Sequence, residues 1–191
     1  MGATTTLVTL EEYLNTAYEP DMDFVDGVLV RRNVGTQLHG LLQTIVGSYL
    51  RQFRQSHRIT VFTETRLLVD AKASRHRIPD VMAVENPFQK GRVVVDVPAI
   101  VVEIKSPDDT FDDIVDRCFD YEQLGDVNIL VMDPDNRRAW LFGHGDLRLL
   151  TGESARLSLR QRPVLDFPFG EMFKELEEDC RRRAAGAKIG L

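Results

Sequence analysis

The sequence predicts an α/β (α+β) fold, a mixed central β-sheet flanked by helices. Three observations predict it. Apolar residues recur at helical spacing in several windows, and valine- and isoleucine-rich runs of strand length lie between them. The order reads helix, hairpin, helix, three strands, helix, strands, helix, with no internal repeat and no low-complexity tract. At 191 residues the chain is long enough to bury a core without disulfides or a structural metal. It reads as one domain, with a core over about residues 10–150 and a strand-and-helix extension over about 151–191.

Thr9 opens a short helix that ends near Asn15, with Glu11 and Glu12 in its first turn. Phe24 to Val30 places two apolar stretches around Asp26-Gly27, a hairpin signal. Leu38, Leu41, Leu42, Ile45, Val46, Tyr49, Leu50 and Phe53 then make the clearest helical stripe in the chain. Ile59 to Asp70 reads as extended chain, Lys72 to Arg75 as a turn and Ile78 to Glu85 as a strand. Pro98 to Lys105 is a further strand, and its Ile100-Val101-Val102 run predicts burial on both faces. Ser106 to Thr110 breaks it and opens a helix carrying Phe111, Ile114, Val115 and Cys118, with Gly125 at its end. Asn128 to Asp133 is another buried strand, turning at Asp133-Pro134-Asp135-Asn136 into a partner over Arg137 to Phe142. Asp146 to Thr151 predicts an edge strand, and Glu171 to Arg183 a last amphipathic helix.

Cys118 and Cys180 fit no metal spacing and no secreted disulfide framework, and Cys118 reads as a small core residue. No charged segment followed by an apolar run marks a signal peptide, and no window approaches the ~20 apolar residues of a membrane span. The expected compartment is the cytoplasm. The net charge of −6 argues against indiscriminate polyanion binding, but its distribution is uneven. From Val28 to Pro79, nine cations against two anions leave +7, so the rest of the chain carries −13. That split is compatible with a basic face on an acidic body, and equally with arginines that only solvate a helix and two loops.

One constellation carries chemistry. Asp80 enters a strand after Pro79, and Glu103 and Lys105 lie 22 intervening residues later near the end of the next long strand. Strand side chains alternate, so Glu103 and Lys105 are expected on one face with Ile104 on the other. Charges inside an apolar strand are costly to bury without a reason. If the two strands are neighbours, Asp80 and Glu103, with the backbone carbonyl of Ile104, make the oxygen-rich set that Mg²⁺ prefers. Lys105 is then placed to orient water and to offset charge on a phosphoryl transition state. His39 at the helix start and Gln43 one turn on are candidate substrate contacts, as are Arg75 and Arg77 just before Pro79-Asp80. The plain alternative is a buried ion-pair network that fixes strand register, with a helix-capping histidine and solvated loop arginines.

The motifs, taken in order, resemble a known family. They are Asp23-Phe24-Val25-Asp26-Gly27, His39, Arg77-Ile78-Pro79-Asp80-Val81, Pro98 through Pro107, Asp113 with Arg117 and Tyr121, Gly125-Asp126-Val127, and Val131-Met132-Asp133-Pro134. Over roughly Leu10 to Leu150 the chain is similar to the PD-(D/E)XK nuclease superfamily and, within it, to the Uma-two family of restriction-endonuclease-like proteins. The resemblance implies a restriction-endonuclease-like core and a Mg²⁺- or Mn²⁺-dependent endonuclease acting on DNA. Asp80, Glu103 and Lys105 would be the catalytic residues, with Asp23 as a further metal ligand. Many relatives place the lysine on the following helix, where this chain has Arg117, and have glutamate where it has Asp23. Because arginine does not act as a base at physiological pH, the basic role falls to Lys105. A homodimer is expected, since cutting both strands favours two sites, with Val93-Val94-Val95 and the last helix as interface candidates. The alternative from another class is a catalytically inactive nuclease-fold module that binds nucleic acid or a protein partner.

Overall fold

Threonine side chains start three of the helices. The computed structural model describes residues 7–33, 35–160 and 162–186. In α1 (Leu10–Asn15) the Thr9 hydroxyl accepts from the Glu12 N–H, and in α2 (Gln37–Arg51) Thr36 accepts from the His39 N–H. In α3 (Phe111–Glu122) Thr110 and Asp113 form a reciprocal capping box. These caps fix where each helix begins, and with it the position of His39 and of the α3 side chains.

The Asp26-Gly27 hairpin forms as expected. Asp26 and Gly27 adopt φ of 51° and 85°, the left-handed pair that a two-residue turn between twisted strands needs. It joins β1 (Met22–Val25) to β2 (Val28–Arg31) in antiparallel register. The extended chain after α2 splits into β3 (Ile59–Thr63) and β4 (Leu67–Asp70). A short strand, β5 (Arg75–Arg77), stands where a turn was expected to end, and β6 begins only at Val81, running to Glu85. The cause is a tertiary contact: the Asp23 carboxylate accepts from the Ile78 N–H at 3.0 Å, which draws this segment onto the hairpin before it crosses to the next sheet. One sheet therefore has the order β2-β1-β5-β4.

The larger sheet has six strands. It contains β3, β6, β7 (Ile100–Ile104), β8 (Asn128–Asp133), β9 (Arg138–Gly143) and β10 (Asp146–Leu149), in the order β10-β9-β8-β7-β6-β3. Only β7 and β8 pair in parallel, with α3 as the crossover between them. Both central strands are buried on both faces. Ile100, Val102 and Ile104 with Leu130 and Met132 pack towards α2 and the last helix, α4 (Phe169–Gly186). Val101 with Ile129 and Val131 pack towards Ile114, Cys118 and Tyr121 of α3. The sheet is thus flanked by helices on both sides.

The extension beyond Leu150 is part of the core. β11 (Ala155–Leu157) and β12 (Leu165–Phe167) pair with each other, and Leu157, Leu165 and Phe167 are buried beside α2 and α4. Three-residue strands show too little alternation to be read from sequence. Of the two candidate dimer surfaces, Val94 is buried by pairing with Leu67, and α4 spends Phe169, Met172, Phe173 and Leu176 on the core. Cys118 is buried and both cysteines are free. Among the described residues, no helix is long and apolar enough to cross a membrane.

Phe167 has no exposed surface and its ring meets Tyr49 edge-on at 6.2 Å. Phe167→Ala is expected to destabilise the whole protein by roughly 3–5 kcal/mol in urea unfolding, as a core truncation does. A detachable extension would instead unfold in a separate transition.

Candidate active site

The register of the large sheet brings the two carboxylates together. Val81 lies opposite Val102 in the antiparallel β6–β7 pair, so Asp80, one residue before, stands opposite Glu103, one residue after. Glu103 meets Arg117 and Tyr121 of α3, while Asp80 meets Arg32 and, at the start of α2, His39. Asp80 is 1% exposed and Glu103 2%. They line a cavity of about 10 Å³, room for about one water, together with Arg32, His39, Ile104, Ser106 and Arg117. This cavity adjoins a basin of about 370 Å³ that contains Asp23, Arg31, Arg77 and Asp108 and shares Arg32, Asn33, Asp109 and Arg117 with it.

Every carboxylate oxygen has a donor. Asp80 Oδ1 accepts from Arg32 Nη2 at 2.5 Å, with His39 Nε2 at 3.3 Å, and Oδ2 accepts from the Ile104 N–H at 2.7 Å. Its backbone carbonyl accepts from the Gln43 side-chain amide at 3.0 Å and the Glu64 N–H at 3.3 Å. Glu103 Oε1 accepts from the Tyr121 hydroxyl at 2.6 Å, and Oε2 from Arg117 Nε at 3.0 Å. Burial alone would raise both carboxyls. For Asp80 the His39 hydrogen bond, the Arg32 charge and the Ile104 N–H outweigh it and hold the group below the ordinary range. For Glu103 burial prevails over Arg117, repulsion from Asp80 adds to it, and the carboxyl is pushed up to about 7. His39 is held above its ordinary value: burial opposes its charge, but Asp80 more than compensates.

The expected site residues divide. Asp80, Glu103, Ile104 and His39 line one cavity, and Gln43 holds the backbone of Asp80 from behind. Ile104 meets Asp80 through its N–H. Asp23 lines the adjoining basin, buried, accepting from Ile78 and from Arg77 Nη1 at 3.0 Å. Lys105 lines neither cavity. β7 ends at Ile104, and the Lys105 amine donates to the Ser106 carbonyl at 3.1 Å, so strict alternation does not carry it to Glu103. Arg75 and Arg77 are drawn inward by a carboxylate the sequence did not single out. Asp120 accepts from Arg75 Nη1 at 2.6 Å and from Arg77 Nε at 2.7 Å, and Arg77 is 7% exposed.

Arg32 was also missed as a site residue, because its contact with Asp80 lies 48 residues away in sequence. Tyr121 is a fully buried core residue and also the hydroxyl donor to Glu103. Asp109 anchors the loop over the site: its Oδ2 accepts from the Ser106 N–H at 2.8 Å, its Oδ1 from Asn33 at 3.0 Å, and Arg117 Nη2 lies 3.6 Å from Oδ1.

The chemistry of the donor set fits a hard divalent cation. Mg²⁺ is commonly held by one or two carboxylates and completed by water and substrate phosphate, and Asp80 and Glu103 are such a pair. Among the described residues no group of three or more His, Cys, Asp or Glu is placed to hold a metal ion, so the pair would need water or substrate oxygens to complete the shell.

The raised Glu103 carboxyl gives a testable pH dependence. Its folded value of about 7 exceeds the ordinary 4.5, so the folded protein binds the extra proton between them. The stability this group contributes is complete below about pH 4.5 and lost as pH rises through about 7. In chelator, wild-type protein is expected to lose on the order of 3 kcal/mol across that window relative to Glu103→Gln. Chemical denaturation of both proteins at several pH values measures it, and parallel curves would refute it.

No curated protein matches this chain in sequence. A crystal structure described as "a putative nuclease belonging to DUF820 from Anabaena variabilis ATCC 29413" shares its fold with a TM-score of 0.73, at 16% identity, covering 88% of this chain and 99% of that one. The sequence model of the Uma2 family, described as "Putative restriction endonuclease", matches residues 10–167. That span holds both carboxylates, the arginines on them and the two small strands that close the core, and the chain belongs to the Uma2 family.

Proposed function

We propose that this protein is a metal-dependent endonuclease that hydrolyses phosphodiester bonds in DNA. One observation carries the reading: adjacent strands place two buried carboxylates, Asp80 and Glu103, at a small cavity that adjoins a basin large enough for a phosphate and sugar. Family membership supports a nuclease-like activity. Asp80 and Glu103 would hold Mg²⁺ or Mn²⁺, with the Ile104 carbonyl and Asp23 as further oxygen donors. When bound, the ion polarises a phosphoryl oxygen and lowers the pKa of its water.

The remaining work falls to the chain itself. Tyr121 fixes the rotamer of Glu103 and the Ile104 N–H fixes that of Asp80. Arg117 brings a permanent positive charge beside Glu103, suited to the charge that develops on phosphorus-bound oxygens. His39 lines the cavity beside Asp80, and Gln43 holds the Asp80 carbonyl from behind. Lys105 reaches the centre only if its amine leaves the Ser106 carbonyl, so the reading gives the electrostatic role to Arg117 and leaves Lys105 as a candidate base. Arg75 and Arg77 support the site through Asp120 and Asp23. A homodimer remains part of the proposal because double-strand cleavage needs two centres.

The second reading, an inactive nuclease-fold module that binds nucleic acid or protein, is favoured by the completeness of the ion pairs: no oxygen of either carboxylate lacks a donor. Plasmid nicking with Mg²⁺ and with Mn²⁺ separates the two. Wild-type protein is expected to cut, with loss of at least about 100-fold in Asp80→Asn and Glu103→Gln. Arg117→Ala is expected to lose about 100-fold and Lys105→Ala much less. The opposite order would return the catalytic cation to Lys105. Absence of cleavage of DNA and RNA with either metal would leave the binding module standing.

A further inference from the structure

Arg32 stands at the junction of the small cavity and the basin, and lines both. It lies just beyond β2, so no strand pairing holds its backbone. Its side chain is 17% exposed, and its guanidinium contacts the same Asp80 oxygen that His39 approaches. A divalent ion held by Asp80 and Glu103 would have to sit against that oxygen. Two cations at contact distance on one buried oxygen repel strongly where the dielectric is low. The guanidinium and the metal are therefore alternatives at Asp80.

The basin supplies the other end of the exchange. Its lining mixes four arginines, Arg31, Arg32, Arg77 and Arg117, with five aspartates. Arg77 and Arg117 are already paired with carboxylates. Arg31 and an Arg32 released from Asp80 are therefore the guanidiniums that can take a phosphate, often through two parallel hydrogen bonds. Resting on the metallonuclease reading above, we infer that Arg32 is a placeholder for the metal. It neutralises Asp80 in the free protein and moves onto the substrate phosphate when metal and nucleic acid load together. The exchange balances in charge: Asp80 trades a guanidinium for the ion, and Arg32 trades a carboxylate for a phosphate. Asn33, held by Asp109, anchors the backbone one residue on, so the movement belongs to the Arg32 side chain.

Linkage makes this measurable apart from catalysis, because a ligand that displaces Arg32 from Asp80 must tighten the other ligand by the same factor. Mn²⁺ is titrated calorimetrically into wild-type protein, Arg32→Gln, Arg32→Lys and Asp80→Asn, with and without a nonhydrolysable phosphorothioate DNA duplex. Wild-type affinity for Mn²⁺ is expected to rise about ten-fold or more when the duplex is present. Arg32→Gln is expected to bind Mn²⁺ about ten-fold tighter than wild type without duplex, and to gain little from adding it. Arg32→Lys should restore part of the coupling.

A merely structural arginine would give the reverse result, a damaged site and weaker Mn²⁺ binding. Unchanged or weakened binding in Arg32→Gln, with binding abolished in Asp80→Asn, overturns the placeholder and leaves the metal site intact. No Mn²⁺ binding in wild type, with duplex or without, overturns both. If Arg32→Gln does not fold, Arg32→Lys carries the test: reduced coupling supports the exchange and full coupling refutes it.

Discussion

Two buried carboxylates face each other across neighbouring strands, and much of the molecule is arranged around that fact. Each alone would be costly to bury, and together they repel. Arg32 and Arg117 arrive from opposite sides of the chain to neutralise them, while His39, Tyr121 and the Ile104 N–H complete the shell. The compensation continues outward. Asp23 takes Arg77, Asp120 takes Arg77 and Arg75, and Arg75 also takes Asp26 at the hairpin turn. Charges alternate in sign along this line, so the centre is braced against the small sheet by ion pairs as much as by apolar packing. Removing any buried member would strand its partner, the costly way to break such a network.

Ion pairs of this kind also take up four of the nine cations of the basic segment. The excess of arginine between Val28 and Pro79 suggested a basic face for a polyanion. Arg32, Arg66, Arg75 and Arg77 are instead paired with Asp80, Asp21, Asp120 and Asp23. Arg66 is in addition stacked over Tyr13 and donates to the Tyr13 and Thr16 carbonyls. These cations hold the small sheet and its neighbouring loops together, and composition alone does not separate that use from contact with phosphate.

Much of the fold was legible because its signals are local and periodic. The cap at Thr9, the break at Ser106 to Thr110 that opens α3, the Asp26-Gly27 turn, the stripe of α2 and the doubly buried β7 all appear where spacing and turn chemistry place them. The division into two sheets was not legible, because it depends on Asp23 binding the Ile78 backbone 55 residues away. The same distinction holds at the centre. The opposition of Asp80 and Glu103 follows from two strands being neighbours, but the position of Lys105 turned on where β7 ends, and alternation says nothing of that. Asp120 and Arg32 carry no motif, and only the tertiary structure shows what they touch.

The contact between Arg32 and Asp80 spans 48 residues and joins the segment just after β2 of the small sheet to the residue just before β6 of the large. Arg117 comes from a helix that the chain forms after both carboxylates have been made. As the polypeptide emerges during synthesis, Asp80 and Glu103 precede the guanidinium that neutralises the second of them. The last strands and helix that close the core come later still. Long-range contacts of this kind form late and together, so the centre is completed by the same step that completes the fold. A partly folded chain then has two repelling acids without their full complement of counter-charges. The moment at which the two-carboxylate centre comes into being is therefore set by the order of assembly.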